Sequence, residues 1–176
     1  RTHNLLMDAL VSLALEKGYE AITIRDITER ADVAYSTFFR HYAEKDELLA
    51  EVLKSVVQEL KALINHSPDK SREAEGKLLF QYVQNNADFF RLLFSSEGTS
   101  RVAHEMQDEI INDVMNMHPI TKNPVIPLEI AVYHLIVTIM ALIRWWLDHD
   151  MPYSIERMAE IYRHLSLQDG FSENSV

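Results

Sequence analysis

The sequence predicts an all-α protein, an N-terminal three-helix bundle followed by a larger helical body. Three observations lead there. Apolar residues recur at helical spacing, with few strand-like alternations anywhere. Only four glycines interrupt 176 residues, of which 47% are hydrophobic, so long elements and a sizeable core are available. Helix stops and starts stand at regular intervals, from Gly18 near the beginning to Pro152 near the end.

The first helix carries Leu5-Leu6, Ala9-Leu10 and Leu13-Ala14, apolar pairs every four residues, and Gly18 caps its C-terminus. Thr23 and Asp26 form a capping box that opens a second helix, with Ile24, Ile27 and Ala31 on one face. Asp32-Val33-Ala34 breaks the register, and Val33 can plug the angle between helices. A third helix is expected over Tyr35 to Tyr42. Phe38 and Tyr42, one turn apart, suit the core and leave Tyr35, Ser36, Thr37, Arg40 and His41 for solvent or a ligand. Hydroxyls, a guanidinium and an imidazole are the groups that contact phosphates and base edges. Two short helices across a tight turn are a helix-turn-helix, whose second helix enters the DNA major groove.

A long helix follows from Asp46 to about Ile64, with acidic residues at its start and Leu49, Val52-Leu53, Val56-Val57, Leu60 and Leu63-Ile64 on a broad stripe. After a loop at 65–69, helices are expected at about 73–85 and 87–94. Residues 95–100 read as a break before a helix at 101–117. Pro119, Pro124 and Pro127 bound a longer loop, and helices at about 128–149 and 154–167 complete the chain, the last with Ser154 as a plain N-cap choice. The division is 1–45 for the helix-turn-helix domain and 46–176 for the body.

The segment Thr23 to Leu49 resembles the DNA-binding domain of TetR/AcrR-type transcriptional regulators. The matching residues are Gly18, Thr23, Ile27, Ala31, Val33, Thr37-Phe38-Phe39, Tyr42, Lys45 and Leu48-Leu49, and the resemblance covers roughly residues 1–53. Ala34 and Phe39 depart from the usual Ser and Tyr, removing a helix cap and a phosphate-binding hydroxyl. The resemblance implies that Arg25, Tyr35, Ser36 and Thr37 lie near base edges or groove-facing phosphates. It implies phosphate roles for Thr23, His41, Tyr42 and Lys45, and either role for Arg40. The same residues have structural readings: Tyr42 as core, Thr23 as a cap, Lys45 as cover for the next helix start. In this family an upstream arm, often basic, reaches the DNA; the chain begins at Arg1 without a Met, so that arm is expected to be missing.

Charge runs against DNA binding at first sight. Residues 1–53 hold six Lys plus Arg and ten Asp plus Glu, a net of −4. The remaining eleven and seventeen give −6, which completes the formal −10. Local clustering answers this, because Arg25, Arg40 and Lys45 sit on the helix-turn-helix while Glu16, Glu20, Glu47 and Glu51 can point elsewhere. Modest phosphate attraction per subunit makes a dimer the expectation, with binding that salt weakens steeply. The absence of cysteine excludes disulfides, thiolate metal sites and a cysteine nucleophile, and suits a reducing cytoplasm. No signal peptide is expected. The apolar run Ile130 to Ile143, fourteen residues containing His134, reads as too short for a membrane span.

That run is apolar nearly all round, which is economically explained by burial against both its own body and a second subunit. With the following helix it suggests a homodimer interface through Ile139, Ile143, Trp146, Ile155, Met158 and Tyr162. The family also dimerises through its last two helices. Phe89, Phe90, Phe94, Met106, Tyr133 and His134 read either as ordinary core or as the lining of a pocket for a small apolar effector. The resemblance supplies the effector, and a repressor. His104-Glu105 with Asp108 has metal-like spacing but no third ligand, and there is no phosphate loop or nucleophile motif, so no cofactor, metal or catalysis is expected. The alternative reading is a helical protein-interaction module, or a partner-dependent regulator with weak or lost DNA binding.

Overall fold

The computed structural model describes residues 2–105, 111–112 and 126–167. In chain order the helices are α1 (Thr2–Lys17), α2 (Ile24–Arg30), α3 (Tyr35–Phe38), α4 (Lys45–His66), α5 (Arg72–Asn85), α6 (Ala87–Leu93), α7 (Glu97–Glu105), α8 (Leu128–Asp148) and α9 (Ile155–Leu167), with a 3-10 turn at Tyr19–Ala21. They fall into two compact units. One holds Arg1–Glu59 and Ala87–Met106, the other Leu60–Asn86 and Gln107–Val176, so α4 contributes residues to both.

The first unit is the helix-turn-helix bundle with α6 and α7 packed onto it. Leu6, Leu10, Ile27, Phe38, Leu48 and Leu49 are its innermost side chains. Gly18 ends α1 in the left-handed region at φ 79°, where a side chain would be strained, and its N–H donates to the Ala14 carbonyl at 3.0 Å. The capping box is present: Asp26 N–H donates to Thr23 Oγ1, and Asp26 Oδ2 accepts from Thr23 N–H at 2.7 Å. The turn after α2 is a Schellman motif, with Asp32 N–H on the Glu29 carbonyl and Val33 N–H on the Thr28 carbonyl. Asp32 takes the left-handed position at φ 52° that glycine usually fills.

Two expectations change. The α-helical part of the third helix ends at Phe38, and residues through Tyr42 continue as turns bonded to Thr37 and Phe38 carbonyls. The break expected at 95–100 is shorter, because α7 begins at Glu97. Two of its orphan N-terminal donors are satisfied: Ser96 Oγ accepts from Thr99 N–H, and the Glu20 carboxylate accepts from Gly98 N–H at 3.1 Å. The sequence could not supply Glu20, which lies far away in the chain.

In the second unit α5 and α9 pack closely where α5 has no side chain at Gly76. A Cβ built there would lie 2.8 Å from the Tyr162 ring and 3.0 Å from Ala159 Cα. Tyr162, fully buried, donates to Glu75 at 3.0 Å, and Arg72 pairs with Glu75 at 2.9 Å. Burial and the Glu75 carboxylate push the Tyr162 hydroxyl pKa upward, so it remains a donor. Trp146 meets Phe80 edge-on at 5.4 Å and donates Nε1–H to the Tyr153 carbonyl at 2.9 Å. A second Schellman motif ends α8, with Asp150 and Met151 both at positive φ and Pro152 next. The apolar run lies within a 21-residue helix, close to the 128–149 expected, on which Arg144 and Asp148 pair with each other at exposed positions. The argument that it is too short to span a bilayer therefore fails: among the described residues α8 alone has the length and composition to cross one.

Candidate nucleic-acid interface

Three rows of side chains run along α3 and the turn after it. Phe38 and Tyr42 form the buried row, and α3 packs on α2. Tyr35 and Phe39 form an exposed aromatic row, 53% and 48% accessible, with ring centroids 5.2 Å apart in an edge arrangement. Ser36 and Arg40 form an exposed polar row beside it, and His41 is exposed as well. The row positions follow from the one-turn spacing of residues i and i+4. Thr37 is half-buried, and its hydroxyl accepts from Arg40 at 3.3 Å, which holds the guanidinium along the helix. Arg25 is exposed on α2. Ala34 at the N-cap makes no side-chain cap bond, as its methyl dictates.

The other residues proposed from sequence have intramolecular partners. The Thr23 hydroxyl donates to Asp26 at 2.6 Å. The Tyr42 hydroxyl bonds His3 Nδ1 and its ring stacks on His3, which ties the start of α1 to the end of the helix-turn-helix. Desolvation, reinforced by Glu51, moves the Tyr42 pKa up and keeps the phenol neutral. Lys45 is half-buried over the Tyr19 ring, 4.5 Å from its centroid, and donates to the carbonyls of Tyr19 and Ile22 at 3.0 and 3.1 Å, with Glu20 at 3.5 Å. Its ammonium thus satisfies the carbonyls of the 3-10 turn.

Beside it, Asp46 accepts from the Tyr19 hydroxyl at 2.5 Å and pairs with Arg101 of α7. Burial, then the Asp46 hydrogen bond, raises the Tyr19 pKa. Sequence reasoning missed this network of Tyr19, Glu20, Asp46 and Arg101, because only the fold brings α7 to the 3-10 turn. It treated Phe39 merely as a lost hydroxyl, although the one-turn spacing from Tyr35 was a legible signal of a paired exposed face.

Phe89 and Phe90 are buried in the first unit, packed edge-on at 5.7 Å, while Tyr133 and His134 are exposed on α8 in the second. Phe94 is half-buried and Met106 lies outside the described residues. Of the dimer residues, Ile143, Trp146, Met158 and Tyr162 are at most 1% exposed. They are buried within the chain, and Ile139 and Ile155 are half-buried. Asp108, the third member of the metal-like spacing, is outside the described residues, among which no cluster suited to a metal occurs.

A helix-turn-helix whose second helix offers paired aromatic and polar rows, carried on an all-helical chain, defines a DNA-binding regulator of transcription. Residues 6–52 match the model of the bacterial regulatory proteins of the tetR family, and residues 77–168 match a transcriptional regulator C-terminal region. The chain belongs to the TetR family of transcriptional regulators.

Among its relatives, an uncharacterized HTH-type transcriptional regulator of Haemophilus influenzae is 29% identical over 110 residues, 57% of this chain and 53% of that protein. The HTH-type transcriptional repressor KstR of Rhodococcus jostii is 30% identical over 78 residues, 44% of this chain and 37% of the repressor. The chain thus matches about half or less of the length of these curated relatives. A solved TetR-family structure from Syntrophomonas wolfei shares the fold, with a TM-score of 0.76 at 16% identity over 99% of this chain and 97% of that one.

Proposed function

We propose that the protein is a homodimeric repressor that binds a palindromic operator and releases it when a small apolar effector binds. The observation that carries the dimer is a stripe on α8: Ile130, Tyr133, Val137 and Trp145 are 56%, 50%, 44% and 43% exposed along one face. Large apolar side chains aligned this way make an interaction surface rather than a solvated one. A two-fold pairing of chains presents two copies of α3 about one DNA turn apart, roughly 34–36 Å, and therefore reads a palindrome.

Repression is supported by the KstR relatives, which are named repressors. Residues 1–45 act as the DNA-binding domain and 46–176 as the effector-binding and dimerisation domain, in the cytoplasm and without a membrane. An effector lowers operator affinity only to the extent that it prefers a subunit geometry with a different α3 separation. The long α4, with residues in both units, is the lever.

The test combines selection of duplexes from a random pool with light scattering. Enrichment of one palindrome by a dimer, and monomers with lost operator affinity from Val137→Glu, are the expected results. Val137 is exposed, so the substitution leaves the core intact. A V137E variant that remains a dimer places the interface elsewhere. A folded protein that enriches no duplex returns the reading to an interaction module, which the acidic balance of the chain would suit.

A further inference from the structure

We propose that Phe39 reads a thymine methyl in the major groove, with Tyr35 bracing its ring, and that this apolar contact sets specificity in each half-site. The inference rests on DNA binding through α3. Phe39 is a large apolar side chain left 48% exposed on the polar side of a small bundle. It is not loose: the Tyr35 ring meets it at 5.2 Å and 65°, and the buried Phe38 ring at 5.5 Å and 75°. Rings on two sides hold it in one orientation before any ligand arrives, which lowers the ordering cost of a contact.

A phenyl ring has no donor or acceptor, so it cannot serve a phosphate or a base heteroatom. In the major groove the apolar feature that base edges present is the C5 methyl of thymine. The neighbouring Ser36 and Arg40 row supplies the polar contacts that fix the helix over that base.

The charge distribution makes the contact matter more. The first 53 residues carry a net charge of −4, and the Lys45 ammonium and the Thr23 and Tyr42 hydroxyls are already bonded within the chain. Phosphate attraction is correspondingly thin, and discrimination falls to contacts that do not depend on charge.

The experiment is a thymine-to-deoxyuridine scan of the duplex enriched from a random pool, which deletes one methyl at a time and leaves every hydrogen bond. In the wild-type protein one thymine per half-site should be sensitive, with affinity falling about fourfold, the equivalent of about 0.8 kcal/mol for one buried methyl. Replacing it in both half-sites should cost about fifteenfold, the product of two such losses. The salt dependence should stay the same, since no phosphate contact is touched.

Phe39→Ala should bind more weakly and respond to no deoxyuridine at that position, with an unchanged thermal midpoint as the control for folding. An operator whose every thymine methyl is dispensable, or an F39A protein that keeps the wild-type sensitivity, overturns the proposal while leaving DNA binding through α3 intact. Failure to enrich any duplex removes both.

Discussion

Replacing Lys45 with Met should lower stability without altering how steeply salt weakens DNA binding. The ammonium donates to the carbonyls of Tyr19 and Ile22 at 3.0 and 3.1 Å, both in partly buried surroundings, and Met keeps the apolar stem over the Tyr19 ring. Hydrogen bonds from a charged donor contribute about 1.5–3 kcal/mol, and the half-buried setting argues for the value of one such bond rather than two. A chain of this length loses about 2–4 °C of midpoint per kcal/mol, so Lys45→Met should melt about 3–12 °C lower.

If Lys45 instead neutralised a phosphate, its removal would make the plot of log affinity against log salt shallower by about 0.9 per subunit, or about 1.8 for a dimer. The structure commits the ammonium to backbone carbonyls, so the two plots should run parallel, displaced only by whatever shift of the 3-10 turn the variant causes. Thermal denaturation by circular dichroism gives the first quantity. Fluorescence anisotropy with a labelled duplex between about 50 and 200 mM salt gives the second. An unchanged midpoint together with a shallower slope would refute the positioning role and restore Lys45 as a phosphate ligand.

Gly76→Ala gains about 1 kcal/mol of helix propensity but forces a methyl to within 3.0 Å of Ala159 Cα, and overpacking costs about 1–3 kcal/mol. A lower midpoint in denaturant is expected, and a higher one would mean that α5 and α9 are not so close. Asp32→Gly relieves a left-handed residue and should raise stability by about 0.5–1 kcal/mol, after the extra backbone entropy of glycine is subtracted. Operator affinity should not change; a destabilised D32G would show that the Asp side chain matters more than its backbone.

Asp26 is held well below the usual carboxylate range, chiefly by the Thr23 hydroxyl and then by Lys17 at 2.9 Å. A depressed folded-state pKa contributes stability above the ordinary value of about 3.9, lost as pH falls through the folded one. Asp26→Asn should therefore melt below wild type at neutral pH, with the gap closing under acid. A gap independent of pH would show that the capping-box carboxylate plays no part.

Much of the helix-turn-helix was legible because its signals are local. A capping box needs only residues three apart, a buried i,i+4 pair only a helix period, and a left-handed helix stop only a short-range bond pattern. Thr23, Asp26, Gly18, Phe38 and Tyr42 behave as those rules require. The failures share one cause. Arg101 and Glu20 act on partners distant in the chain, so no window of sequence contains both members.

Sequence by itself determined that the chain is helical, where most helices begin and end, and which short segment forms the helix-turn-helix, since backbone capping and hydrophobic period are properties of neighbours. Tertiary structure decided which of the proposed contact groups are already bonded and which side of α8 is spoken for. A helix with apolar residues all round has no preferred face until something packs on it. Here Phe80, Met158 and Tyr162 share the buried core with Ile143 and Trp146, while Val137 and Trp145 stay exposed. That choice belongs to the packing of whole helices, where burying one face removes water from it and leaves the opposite one unpaired.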